Sequence, residues 1–258
     1  MTTVQDILTF LEDFAPPALA EGWDNVGLLA GDRAQAVSGV LCALDVTEQV
    51  VDEAAAAGAQ LIVAHHPAIF TSVSRVTADD ATGRVLRAAI RQDIALLCMH
   101  TNADCAEGGV NDALAAALRL TDVRHMGAGE NGMLGRVGEL PCEMQPQEFA
   151  RYVKACLQAG GVRFCDGGQT IRRVAVGGGA CGKLMDHALD KGAQAFVIGD
   201  CSYDLMQRAQ SLGLTLVDAG HFPTENPMTA VFAGRIAAAF PALSVTVSAR
   251  HTDCIEFV

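Results

Sequence analysis

Half of this 258-residue chain is hydrophobic, which excludes a disordered polymer, and its apolar runs stop short of the ~18 uninterrupted residues of a membrane helix. Its 18 basic and 30 acidic residues leave a net charge of −12, which disfavours non-specific binding to nucleic-acid phosphates. The nine cysteines are scattered, the pattern of reduced thiols rather than of a zinc-thiolate site.

The N-terminal MTTVQDILTFLEDF is acidic, with Val4, Ile7, Leu8 and Leu11 on one helical face. It lacks the basic start of an export signal, so the chain is expected to be cytoplasmic. VGLLAG and VSGVLCALDV read as strands, and Thr47 as the N-cap of a helix ending at Gly58. QLIVAHH is a buried strand ending in two histidines. ATGRVLRAAIRQ is a helix, DIALLCMH a strand and VNDALAAALRL a helix. GMLGRVGEL, PQEFARYVKACLQAG and IRRVAVGGG follow as strand, helix and strand. Then come KLMDHALDKG (helix), AQAFVIGD (strand), SYDLMQRAQSLG (helix), LTLVDAGH (strand), ENPMTAVFAGRIAAAF (helix) and LSVTVSA (strand). This alternation predicts an α/β protein with sheets covered on both faces.

The glycine-rich, polar stretch from about residue 124 to 132 is the best candidate boundary. The expected division is a first α/β lobe of residues 1–125 plus 217–258 and a second of 126–216. GAQLIVAHHP echoes GAQAFVIGD, and ALLCMHTNAD echoes LTLVDAGHFPTE. Two related halves explain the echo, and so does chance, because βα units look alike.

Three strand ends carry ligand-type residues, where open α/β sheets place their sites. His65-His66-Pro67 offers two imidazoles that can serve two metals, and reads equally well as a pair of core histidines. HTNADCAEGGVND places Asp104 in a polar loop, with His100 and Asn102 near enough to support it. Alone, Asp104 reads first as a solvated residue near a helix start. DAGHFPTE places His221 in a loop and Glu225 in the first turn of a helix capped by Thr224; Pro223 and Gly220 argue against a continuous helix there. Together, three imidazoles and two carboxylates suit zinc, iron(II), manganese or cobalt better than calcium.

WDNVGLLAGD, AHHPAIF, MHTNADCAEGGVND, GGGACG and VIGD…VDAGHFPTE resemble the GTP cyclohydrolase 1 type 2 homologue family, also called the Nif-three-like dinuclear metal-centre family, in its short bacterial form. The resemblance runs over nearly the whole chain. It implies two similar, interlinked α/β lobes with a dinuclear metal site in the cleft between them. It carries the ligand roles onto His65, His66, Asp104, His221 and Glu225, with two divalent ions per chain. It also implies a homo-oligomer, a hexameric toroid. One departure is the turn Cys201-Ser202-Tyr203-Asp204, where relatives often have a histidine-rich turn. That puts any substrate contact from this turn in doubt.

Two functions fit these residues. A metal-dependent hydrolase would use two ions to activate water, with His100 orienting the site or moving protons. The family name implies opening of the guanine ring of GTP, while the ligands fit phosphoester or amide hydrolysis of a small molecule equally well. The alternative is a non-enzymatic metalloprotein: a scaffold, regulator or metal-handling protein. Trp23, Asp24 and Asn25 could line a pocket mouth, although packing is the default for Trp23. Gly177-Gly178-Gly179 reads as a phosphate cradle or as a tight turn. Tyr203, His187, His125 and His251 carry no motif.

Overall fold

The computed structural model describes residues 1–258 and holds two sheets. Residues 1–107 carry α1 (Val4–Phe14), β1 (Gly27–Ala30), β2 (Gly39–Ala43), α2 (Glu48–Ala56), β3 (Leu61–Ala64), α3 (Ala81–Arg91), β4 (Ala95–Cys98) and α4 (Thr101–Cys105). Next come α5 (Val110–Ala117), β5 (Thr121–Ala128), β6 (Leu134–Met144), α6 (Pro146–Leu157), β7 (Arg163–Cys165) and β8 (Ile171–Val176). Then follow α7 (Met185–Asp190), β9 (Ala195–Ile198), α8 (Tyr203–Ser211), β10 (Thr215–Asp218) and α9 (His221–Glu225). The chain closes with α10 (Pro227–Ala239) and β11 (Ser244–Val247).

Two compact units result: residues 1–107 with 228–252, and residues 108–227 with 253–258. These crossings lie away from the expected ones at 125/126 and 216/217. Hydrogen bonding explains the shift, since β5 pairs with β6, and β10 pairs with β9 and β7.

The first unit has the strand order β1-β4-β3-β2-β11, with β1 antiparallel to β4 and every other pair parallel. Every residue of β2, β3 and β4 is buried, as expected for short apolar strands covered on both faces. Helix α1 starts with a capping box. Thr3 Oγ1 accepts from the Asp6 amide, and Asp6 accepts from the Thr3 amide at 2.8 Å. Its apolar face is the predicted one: Val4, Ile7, Leu8 and Leu11 are buried.

The second unit has the order β5-β6-β8-β9-β10-β7, parallel through β8, β9 and β10 and antiparallel elsewhere. Strands β5 and β7 were not expected. The glycine-rich candidate boundary is the end of β5 and the turn of its hairpin with β6, where Gly132 N donates to Gly129 O.

The sequence echo has a structural counterpart. Gln60 stands just before β3, and Gln194 just before β9. The Gln60 side-chain oxygen accepts the backbone N–H groups of Ser38 (2.8 Å) and Gly39 (3.2 Å) at the entry to β2. That of Gln194 accepts those of Arg172 (3.2 Å) and Arg173 (2.7 Å) at the entry to β8. Each amide nitrogen then donates to a glycine carbonyl two residues back, Gly58 or Gly192. The parallel trio β2-β3-β4 is thus matched by β8-β9-β10.

Candidate metal centre

In the first unit, Ala64 and Cys98 are register partners at the ends of parallel β3 and β4. The residues leaving both strands therefore emerge side by side, and His65, His66 and His100 converge. Their ring centroids lie 5.0 Å (His65–His66), 5.1 Å (His65–His100) and 5.6 Å (His66–His100) apart. Each offers one nitrogen within 4.8 Å of the others, a spacing that suits a shared metal. Asp104 sits on α4, a one-turn helix rather than the expected loop, and brings Oδ1 to 3.7 Å from His65 Nε2.

In the second unit, β9 and β10 repeat the arrangement, with Ile198 opposite Asp218. Asp200 and His221 emerge together. His221 and Glu225 open and close α9, with His221 Nε2 3.0 Å from Glu225 Oε2. The expected interruption of this helix does not occur. Pro223 lies within the first turn, where its missing N–H leaves no hydrogen bond unmade. Thr224 is not the N-cap either: its hydroxyl bonds Gly220 O and His221 O within the turn and accepts from Gly179 N.

Four histidines share one wiring. Nδ1 of His65 bonds Met99 O at 2.8 Å, and Nδ1 of His66 bonds Asp45 Oδ1 at 2.7 Å. Nδ1 of His100 bonds Asp24 Oδ1 at 2.8 Å, and Nδ1 of His221 bonds Asp200 Oδ2 at 2.6 Å. Carbonyls and carboxylates only accept, so every Nδ1 carries a hydrogen. In the neutral rings, Nε2 then keeps the lone pair a metal requires, and the acceptor behind each ring fixes its orientation. The donor set fits a divalent ion for a second reason. With Nδ1 of His221 protonated, its Nε2 and the Glu225 oxygen at 3.0 Å repel unless a proton or a cation lies between them.

Asp24 lies underneath the site. Its side chain is fully buried, and it takes His100, the Thr101 amide (2.9 Å) and the Thr101 hydroxyl. Burial works to raise its carboxyl, but the hydrogen bonds from His100 and Thr101 outweigh that and hold it well below the ordinary carboxylate range. Asn102, expected near the site, instead donates to Ala15 O at 2.7 Å and ties α4 to the end of α1. The amides of Gly177, Gly178 and Gly179 are taken by Val197 O, Asn111 Oδ1 and Thr224 Oγ1. They cradle no phosphate. A Cβ at Gly179 would stand 2.2 Å from Glu225 Oε1, so this glycine makes room for that carboxylate. In the same motif region, Asp112 grips buried Arg136 through two bonds of 2.9 and 2.8 Å, a structural role.

Sequence reading missed Asp45, Asp200 and His251 as supports of the site. Asp45 and Asp200 stand just past the ends of β2 and β9, the same signal that exposed the histidines. No local signal marks His251. A cleft of about 310 Å³ opens beside His66, lined among others by Asp45, Thr47, Thr82 and Arg84.

The model of the Duf34/NIF3 (NGG1p interacting factor 3) family matches residues 2–254. A GTP cyclohydrolase 1 type 2 homolog of Clostridium perfringens is 36% identical over 229 residues, 87% of each chain. One from Streptomyces coelicolor is 40% identical over 88% of this chain and 83% of its own. A Staphylococcus aureus hypothetical protein superposes with a TM-score of 0.92 at 29% identity, covering 99% of both chains. A Bacillus cereus protein related to NIF3 superposes at 0.91 and 28% identity, covering 100% of this chain and 99% of its own.

Proposed function

The chain belongs to the Duf34/NIF3 family, and from that premise we propose that it is a metal-dependent hydrolase with a dinuclear centre. In this reading His65, His66, Asp104, His221 and Glu225 are the ligands of two divalent ions. Zinc, iron, manganese and cobalt fit three imidazoles and two carboxylates. The common wiring of the histidines, with Nδ1 on an acceptor, carries the proposal.

Bound there, the ions supply Lewis acidity that activates water near neutral pH. The chain's own groups do the rest. Asp104 and Glu225 offset cationic charge. His100, fixed through Nδ1 by Asp24, holds or moves a proton at Nε2 beside His65 and His66. The cleft beside His66 gives a small molecule room. The names of the relatives point to hydrolytic opening of the guanine ring of GTP as the first reaction to test. No helix is long and apolar enough to cross a membrane. The reading places the chain in the cytoplasm as a homo-oligomer, a ring of six.

Elemental analysis of metal-supplemented protein should find about two divalent ions per chain. GTP turnover should stop on chelation and return with metal. A metal content near zero would sink the reading. Two ions bound without turnover of GTP or of a phosphoester panel would favour a non-enzymatic metalloprotein.

A further inference from the structure

Trp23, the single tryptophan, and Phe70 leave 59% and 55% of their surfaces exposed. Their rings pack 5.8 Å apart at 60°, and each stands 6.1 Å from the ring of His100. Two large aromatics that touch each other and still face solvent are an apolar surface without a cover. Their carriers are nonetheless fixed. Asn25, two residues after Trp23, donates from Nδ2 to Ile69 O at 2.6 Å, directly before Phe70. Asp24, between Trp23 and Asn25, is locked to His100 and Thr101. One set of hydrogen bonds thus positions the indole, the phenyl ring and the imidazole together. A surface ordered in advance loses little freedom on binding.

We propose that Trp23 and Phe70 form a stacking platform for a planar heteroaromatic ring of the substrate, with His100 at the platform edge nearest the histidine cluster. The platform's chemistry selects the class of ligand. Indole and phenyl offer π faces, and the adjacent Asn25 amide and Asp24 carboxylate are engaged with protein partners. Recognition is therefore by the face of a ring, which tolerates several ring types. Exposed π faces also attract quaternary ammonium cations, so the test sets tetramethylammonium against guanosine. This assignment rests on the hydrolase reading for its link to a reaction. The platform itself requires no metal.

The test uses the intact, chelator-treated protein and the emission of Trp23. Guanosine should quench it saturably, and ribose at equal concentration should not. Phe70→Ala should weaken guanosine binding about tenfold, a loss of about 1.4 kcal/mol, and Phe70→Tyr should restore it. Trp23→Phe, read by calorimetry, should retain binding that Trp23→Ala loses. Absence of saturable quenching by guanosine overturns the platform, as does an equal response to ribose or a preference for tetramethylammonium. So does an emission that shifts on diluting the protein alone, which would show a second copy covering the pair. Guanosine stacking in a protein that binds no metal would leave the platform standing and remove the hydrolase reading.

Discussion

His251 reaches back over 206 residues to place Nε2 2.8 Å from the Asp45 carboxylate, whose other oxygen holds His66 Nδ1 at 2.7 Å. The end of the chain thereby braces a residue assigned to the metal centre. Burial works to raise the Asp45 carboxyl. The bonds from His251 and His66 outweigh it and hold the group well below the ordinary carboxylate range, so it stays ionised behind His66.

Removing such support should loosen the metal without unfolding the chain. Asp45→Asn is expected to weaken divalent-metal binding by about 10- to 100-fold, and His251→Phe by about tenfold. Calorimetric metal titration, with circular dichroism to check the fold, measures both. Wild-type affinity in both variants would make the Asp45 bonds purely structural.

Asp104 and His65 should differ as ligands. If the Asp104 carboxylate bridges both ions, Asp104→Asn removes charge from each and weakens both sites. His65→Ala should mainly weaken one. Melting should be compared without metal, because bound metal stabilises by mass action. Loss of one ion in each variant, independently, would make Asp104 a terminal ligand.

Gly179 combines a backbone φ of +64° with the 2.2 Å approach to Glu225. Gly168, at φ +76°, has nothing near its missing Cβ. Gly168→Ala should therefore lose only the backbone term, about 1 kcal/mol. Gly179→Ala should lose more and also displace Glu225, lowering metal affinity. Urea denaturation and metal titration of the pair separate strain from clash, and equal behaviour would refute the assigned close approach.

Glu53 ties the segment after β11 to α2, accepting from the Ser248 hydroxyl, Ala249 N (2.8 Å) and Arg250 N (3.3 Å). Burial raises its carboxyl, but these bonds prevail and the folded-state value lies below the ordinary 4.5. Its contribution is thus fully present above pH 4.5 and is lost as pH falls through the lower folded value. Glu53→Gln should cost about 1 kcal/mol at neutral pH, after allowance for partial exposure. The gap to wild type should close in acid, and a gap independent of pH would contradict this.

The α/β class, most elements and the candidate ligand residues could be read from residue order alone. Strands buried on both faces must be short apolar runs, and the polar residues just past their ends then stand out. A candidate ligand needs only residue type and strand-end position, so His65, His66, Asp104, His221 and Glu225 stood out, with His100 as a neighbouring support. Tertiary structure decided the rest. β5 was illegible because half-exposed TDVRHMGA mixes charges and glycine and carries no clear period. The turn of α9 was misread because Pro223 breaks a helix interior but not a first turn, and only the fold fixes where that turn begins. Asp45 and Asp200 became supports only because parallel strands deliver their neighbours to the same sheet edge, and Asp24 because antiparallel β1 begins beside the end of β4. His251 had no signal at all. A hydrogen bond acts over about 3 Å of space, and residues that distant in sequence meet only once the chain has folded.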